Sequence, residues 1–419
     1  MYIIPGYVDI HSEQDAILLT SQLLQNQIRI TDPPLQEELR SILERGSCNV
    51  LSTPLTQFLH EQEMLLELAQ IEAALEEAKQ LLSKGMSLTI MPTEACNFRC
   101  PYCYEDHTPV SMSQDIAEQI KSYIAAQAPR FERVNISWFG GEPTLCKELV
   151  LNVARFVQSV QSANSFDYVS QMTTNGYLLT VDAFKEYYAA GITKYQITVD
   201  GWTHDETRPH VSGKGTLQTI LKNLQEISAL PEKDYNFYIS LRHNILADDR
   251  DYSWYDHLKS LFGKDARFSV FVYPVGNLGD TPVQGLELLT DKNRDALINE
   301  HIAYLDKISM NHINHTGGAF SKVCYACYPN GFVFRADGKI GKCTVALNNP
   351  SNIVGYVDSN SGVVLDENVN NQWCISKLRP ECFACMDLLR CLNLQCGRRR
   401  IASGGTDTPC AYMVPRAKV

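Results

Sequence analysis

The sequence predicts an α/β protein built on a parallel sheet, with a small separate unit before it and a cysteine-rich domain after it. Three observations carry that prediction. Strand-like and helix-like segments alternate from Ser87 to about Leu305; three cysteines follow the first of those strands in the spacing Cys-x3-Cys-x2-Cys; and nine of the 14 cysteines fall after residue 320. Regular βα alternation implies parallel strands joined by right-handed crossovers.

Composition bounds the rest. A chain of 419 residues, 44% apolar and 20% charged, has material for two or three globular domains. No apolar run approaches the roughly 18 residues of a membrane span, and the N-terminus lacks the basic-then-apolar pattern of a signal sequence. A cytoplasmic location is expected, with no membrane partner. Fourteen cysteines in a leaderless chain point to metal or cluster ligation rather than disulfides, because the cytosol keeps thiols reduced. The formal charge is −11, with 13 acidic and 5 basic side chains in residues 1–85. Nucleic acid is therefore a poor partner, whereas an acidic N-terminal unit suits a basic peptide or is simply a solvated face.

Taken in order, residues 1–60 read as β-rich pieces (2–10, 16–20 and 27–31) followed by a helix. Asp32 is its N-cap, Pro33 lies in its first turn and Gly46 stops it; Leu35, Leu39, Ile42 and Leu43 share one face. Thr53-Pro54 signals a second helix start. Residues 61–85 read as one connecting helix, with Met64, Leu68, Ile71, Leu75, Ala78 and Leu82 at three- and four-residue steps. Residues 86–310 carry six strand candidates: 87–91, 134–138, 168–173, 194–199, 236–241 and 267–273. Helical patterns at 114–126, 148–160, 181–190, 216–230 and 254–262 separate them. Residues 311–419 form the cysteine-rich domain.

The first strand runs into Cys96-x3-Cys100-x2-Cys103. Iron–sulfur clusters are held by cysteine thiolates, and a complete 4Fe–4S site takes four. Three leave one iron open to a chelating small molecule. Zinc, which prefers paired Cys-x2-Cys hooks and four ligands, fits a lone triplet less well. The second strand ends in Gly140-Gly141-Glu142-Pro143. Its glycines allow positive φ and close backbone approach to a ligand, and Glu142 supplies a negative charge. The third strand ends at Asn175-Gly176, also a plain turn signal, and the fourth at Thr198-Val-Asp200-Gly201. Arg242, ending the fifth, reads as a surface salt-bridge partner or as a partner for a carboxylate of cofactor or substrate.

The triplet, with aromatic Tyr102 before its last cysteine, resembles the signature of the radical S-adenosylmethionine (radical SAM) superfamily. That resemblance implies an open, partial (β/α)6 barrel with its site at the C-terminal ends of the strands. It implies that Cys96, Cys100 and Cys103 hold a 4Fe–4S cluster whose open iron chelates SAM, from which reduction releases a 5′-deoxyadenosyl radical. The segment Gly140, Gly141, Glu142 and Pro143 is similar to the superfamily motif that holds the SAM amino group. Tyr102, Asn175, Thr198 and Asp200 are the other cofactor-binding residues implied.

Among the later cysteines, Cys324-x2-Cys327, Cys343, Cys382-x2-Cys385-x5-Cys391-x4-Cys396 and Cys410 resemble the SPASM extension of peptide- and protein-modifying radical SAM enzymes. The last gap departs from the family's three residues. The resemblance implies two auxiliary 4Fe–4S clusters, one on Cys324, Cys327, Cys343 and Cys396, the other on Cys382, Cys385, Cys391 and Cys410. Two structural zinc sites are the alternative. Cys48, Cys146 and Cys374 fit no set and read as buried thiols.

The order of elements in residues 1–60 resembles the winged-helix leader-binding module of ribosomal-peptide modification enzymes; a structural cap is the plainer reading. The implied function is maturation of a ribosomally made precursor peptide, with cysteine sulfur joined to carbon as a thioether. A low-potential donor such as flavodoxin or ferredoxin would supply the electron. Formylglycine formation in a sulfatase, carbon–carbon crosslinking and a non-catalytic peptide-binding iron–sulfur or zinc protein are the alternatives.

Overall fold

The computed structural model describes the chain apart from residues 6–7, 22–25, 280–282, 284, 287, 290, 314–322, 375–381, 383–390, 392–395 and 403–419. It divides into two compact units. The first joins Met1–Ser83 to Thr316–Pro329 and Asn370–Val419; the second joins Lys84–His315 to Asn330–Val369.

The first unit opens with strands β1 (Tyr2–Ile3), β2 (Val8–Ser12), β3 (Ile17–Ser21) and β4 (Asn26–Ile30). β2, β3 and β4 make an antiparallel sheet. Helix α1 (Pro33–Arg45) starts where expected: the Asp32 side chain accepts from the Leu35 N–H, and Gly46 at φ 71° ends the helix. Helix α2 (Pro54–Glu61) is capped by Thr53. Val8, Ile10, Ile17, Leu19, Leu39, Ile42, Leu55 and Leu59 form one core with Met64 and Leu65. The expected helix over residues 61–85 is corrected at its start. Residues 66–67 are strand β5 (Leu66–Glu67), paired with β1, and helix α3 is Leu68–Ser83. Met64 fits the helical spacing, yet it is drawn instead into the core under α2, where the Met64 and Leu65 N–H groups both donate to the Leu59 carbonyl.

The second unit carries β6 (Gly85–Ile90), β7 (Arg133–Trp138), β8 (Asp167–Thr174), β9 (Ile192–Thr198), β10 (Tyr238–Ile245) and β11 (Phe268–Pro274). All neighbours among these six are parallel, in the spatial order β11-β10-β9-β8-β7-β6. Helices α4 (Gln114–Gln127), α5 (Lys147–Ser162), α6 (Val181–Ala189), the short α7 (His204–Thr207), α8 (Leu217–Ser228) and α9 (Ser253–Phe262) make the crossovers, and α10 (Asp291–Lys307) follows. This is the predicted α/β fold. Four further strands continue the sheet beyond β6: β12 (Gly331–Phe334), parallel to β6, then β13 (Lys339–Gly341), β14 (Ile353–Asp358) and β15 (Gly362–Leu365), all antiparallel. Helices α11 (Glu367–Cys374) and α12 (Gly397–Ala402) complete the described elements.

The two faces of the six-stranded sheet differ. One carries Leu88, Ile136, Met172, Ile197, Leu241 and Val270, all buried. The other carries Thr89, Ser137, Gln171, Thr173, Gln196, Thr198, Arg242 and Asn244, following the period-2 alternation and the strand register. Parallel sheets are usually apolar on both faces. This sheet departs from that pattern on one face, which also carries the aromatic Phe271 and Tyr273 of β11.

Candidate active site

The cysteine loop leaves the C-terminal end of β6 and is clasped from several sides. At the end of β7, Gly141 N donates to the Thr93 carbonyl (3.2 Å) and Glu142 N to the Ala95 carbonyl (2.9 Å). A Cβ built on Gly141 would stand 2.2 Å from the Ala95 oxygen, and one on Gly140, at φ 105°, 2.4 Å from that of Thr93. Both glycines thus lie with their Cβ side against the backbone that leads into Cys96.

Glu142 is likewise engaged inside the protein. It is 1% exposed, and its Oε1 accepts from Thr144 N (3.0 Å), Thr144 Oγ1 (2.5 Å) and Thr174 Oγ1 (2.6 Å) while Oε2 accepts from Asn175 N (2.7 Å). Its carboxylate ties the end of β7 to the end of β8. Pro143 begins the single helical turn Pro143–Cys146 that Glu142 caps. Asn175 Nδ2 donates to Asn97 Oδ1 (2.7 Å), one residue beyond Cys96.

From the end of β9, Asp200 accepts a short hydrogen bond from the Tyr102 hydroxyl and one from Asn244 N (3.1 Å). Tyr102 also accepts from Arg208 Nη1 (2.8 Å) and Asn244 Nδ2 (3.2 Å). Thr198 is buried beside Arg242 in the strand register. The segment after α7 lies along the loop: Arg99 N donates to the Pro209 carbonyl and Val211 N to that of Asn97. Arg208, Asn244 and this segment were not foreseen. The HDETR run at 204–208 contains a strongly basic side chain among acids, but nothing in its spacing says that it folds back onto a loop a hundred residues earlier.

The three thiols lie within electrostatic reach of one another. Burial pushes Cys96 and Cys103 up to about 12 and raises Cys100, which faces the Arg208 guanidinium. The Phe98 N–H donates to Cys96 Sγ at 3.4 Å. Among the described residues no three His, Cys, Asp or Glu side chains converge on a single metal ion. A 4Fe–4S cluster does not ask that of them, because each thiolate binds a different iron. A buried soft-donor triplet beside a guanidinium suits such a cluster, whose binding would replace the thiol protons.

Residues 90–234 match the Radical SAM superfamily. The chain carries a radical SAM domain. The match runs from the last residue of β6 through β9 and includes the cysteine triplet and the loops after β7, β8 and β9 that clasp it. A serine-type anaerobic sulfatase-maturating enzyme of Klebsiella aerogenes is 24% identical over 317 residues, 71% of this chain and 76% of that protein. A GTP 3′,8-cyclase of Actinobacillus pleuropneumoniae is 34% identical over 143 residues, 33% of this chain and 39% of the cyclase. Among solved structures, Streptococcus suis SuiB bound to its precursor peptide SuiA matches with a TM-score of 0.54 at 14% identity, over 97% of this chain and 98% of SuiB. Native anSMEcpe with bound AdoMet and the Cp18Cys peptide matches with a TM-score of 0.57 at 16% identity, over 77% of this chain and 91% of that one. These likenesses are of fold.

The later cysteines divide between the units. Cys324, Cys327, Cys382, Cys391 and Cys396 belong to the first and Cys343 to the second. Within the first unit, a Cβ on Gly397, next to Cys396, would lie 3.6 Å from Cys327 Sγ; the backbone after Cys396 thus meets Cys327. Cys382 packs with Ile3 and Ile71. Cys343 is buried, with Val345 N donating to its sulfur at 3.4 Å. Cys385 and Cys410 lie outside the described residues. No helix among the described residues is long and apolar enough to cross a membrane.

Proposed function

We propose that this chain is a peptide maturase that modifies a ribosomally made precursor, joining a cysteine sulfur to a carbon of an acceptor residue as a thioether. The observation supporting a precursor peptide is the sheet-and-helix unit of β2–β4, α1 and α2, because the likeness to SuiB, solved with its precursor peptide, runs the length of the chain, that unit included. Residues 1–60 are assigned as its leader-binding module, residues 61–85 as a connection, 86–310 as the radical SAM barrel and 311–419 as the SPASM domain.

Cys96, Cys100 and Cys103 would hold the 4Fe–4S cluster that, with SAM and an electron from a donor such as flavodoxin or ferredoxin, supplies a hydrogen-abstracting 5′-deoxyadenosyl radical. The chain's own part is to keep that loop still and the chamber shaped. Glu142, Asn175 and the Tyr102–Asp200 pair each pin one stretch of the loop to a different strand end, so thiol positions follow from the sheet. Gly140, Gly141, Pro143 and Thr198 shape the same strand ends. Cys324, Cys327, Cys343 and Cys396 are assigned to one auxiliary cluster, and Cys382, Cys385, Cys391 and Cys410 to a second. A second reading, formylglycine formation, is favoured by the 24% identity to a sulfatase-maturating enzyme.

The test is mass spectrometry of a cysteine-containing precursor encoded beside this protein. It is incubated anaerobically with the iron-loaded enzyme, SAM and reductant, then treated with a thiol alkylator. Loss of two hydrogens per modified cysteine, with that cysteine refractory to alkylation, is the expected result. The same loss with every thiol still alkylable means a carbon–carbon link and overturns the thioether. An unchanged precursor alongside conversion of a sulfatase peptide establishes the second reading.

A further inference from the structure

We propose that Arg242 receives a carboxylate of the bound peptide, an acidic side chain or its C-terminus, on the polar face of the sheet; this deepens the peptide-maturase reading and rests on it. Arg242 lies near the C-terminal end of β10, on the face it shares with Thr198 and Asn244. Its guanidinium stacks 4.2 Å from the Tyr273 ring centroid and lies 5.8 Å from that of Phe271, both on β11. Its Nε donates to Asn244 Oδ1 at 2.7 Å. The guanidinium is thus held against the Tyr273 ring and at one edge.

The other edge has no partner among the described residues: neither Nη of Arg242 makes a hydrogen bond to them, and none of their carboxylates comes within ion-pair distance. The surface salt bridge expected at this position is absent, and the residue is half-buried. A guanidinium withdrawn from water with no carboxylate in contact is costly, and burial pulls its pKa below the ordinary value although the Asp200 charge acts the other way. Cation–π stacking offsets part of that cost and fixes the planar fork for two parallel bonds to a carboxylate. Arg294, whose guanidinium lies 5.7 Å from the Tyr273 ring centroid, adds a second positive charge near that ring. Ser240, two residues back on the same face and 7% exposed, has a hydroxyl with no partner. Two unmet polar groups on one wall define a place that a ligand completes.

The position favours the peptide over the cofactor. The backbone and carboxylate contacts that clasp the cysteine loop come from β7, β8 and β9, and β10 adds only Asn244, while the rings against Arg242 occupy β11, the edge strand of the six parallel strands farthest from β6. Its link to the loop is indirect, through Asn244 to the Tyr102 hydroxyl. A peptide anchored at Arg242 would lie along the polar wall.

The experiment measures the affinity of the iron-loaded full-length enzyme for the precursor, and separately for SAM, in wild type, R242K and R242Q. It is repeated with precursors in which each Asp or Glu is amidated in turn and the C-terminus is blocked. Loss of one charged hydrogen-bonded contact predicts roughly 10- to 100-fold weaker peptide binding in R242Q, with R242K intermediate and SAM affinity changed at least tenfold less. One precursor variant should reproduce the loss in wild type and show no further loss in R242Q. Equal peptide affinity in all three enzymes overturns the assignment. A loss confined to SAM affinity overturns it too, and gives Arg242 to the cofactor carboxylate. R242K keeps the charge and tests folding by its thermal unfolding. A wild-type enzyme that binds no precursor fails the peptide-maturase reading itself, which the R242Q comparison alone cannot do.

Discussion

Gly141 has no room for a side chain, and the obstacle is backbone. Its Cβ would meet the Ala95 and Glu94 carbonyls at 2.2 and 2.6 Å, atoms that cannot swing away as a long side chain could. Gly141→Ala should therefore push the cysteine loop from the end of β7. The expected outcome is fewer iron atoms per chain after reconstitution and loss of SAM cleavage, measured by iron assay and by release of 5′-deoxyadenosine. Full iron content with full cleavage would show that the glycine is not needed for loop placement. At this scale the sequence marked the residues without showing what holds them. Glycine and glutamate at 140–142 advertise a ligand contact, and the structure adds that the Gly141 and Glu142 N–H groups and the Glu142 carboxylate engage the protein. The difference lies in partners such as Ala95, Thr174 and Asn175, which become neighbours only when three strand ends are brought side by side.

Elements were legible where local chemistry settles them. Helix α1 begins at Asp32-Pro33 and ends at Gly46 because a carboxylate satisfies a free N–H, proline suits the first turn and glycine takes the left-handed residue after the last turn. Asp32→Ala should cost about 1 kcal/mol of stability in the first unit, read as a lower midpoint of denaturant unfolding; Asp32→Ser should restore most of it. Helix α3 is the counter-example. Apolar residues at helical spacing from Met64 onward describe a face, and such spacing does not say where the helix begins. The chain reverses at Glu63, with φ 53°, and Met64 and Leu65 enter the core formed by β2–β4, α1 and α2. That core had to exist before it could claim them.

The whole molecule holds several histidines in places that reject a second proton. Burial lowers His204 and His301 to about 4, with Arg208 and His243 respectively adding to the effect. His301 Nδ1 shares a hydrogen bond of 2.6 Å with Tyr255, and its Nε2 one of 2.9 Å with the Asp249 carbonyl. In the unfolded chain these rings titrate near 6.5. Between that value and about 4 the unfolded state binds more protons, so stability falls as pH falls through this window. Glu105, which burial raises to about 8, has the opposite slope between about 8 and its ordinary carboxylate range. The readout is therefore a difference: the drop in thermal midpoint from pH 7 to pH 5 should be smaller in His301→Gln than in wild type. Equal drops would remove His301 from the account.

The sequence by itself determined the six βα units, their caps and turns, and the placement of a three-cysteine loop after the first strand. Those features depend on neighbours within a few residues: hydrophobic period, capping side chains and thiol spacing. Only the tertiary structure decided which residues hold that loop, that four strands extend the sheet beyond β6, and that Arg242 stacks on Tyr273 beside Phe271 with neither Nη bonded among the described residues. Each of these depends on strand order and register, which join positions tens to hundreds of residues apart, as in the pairing of Phe334 with Ile90. A linear pattern has no term for such distances, because the energy that selects them comes from burying one face of a sheet all at once.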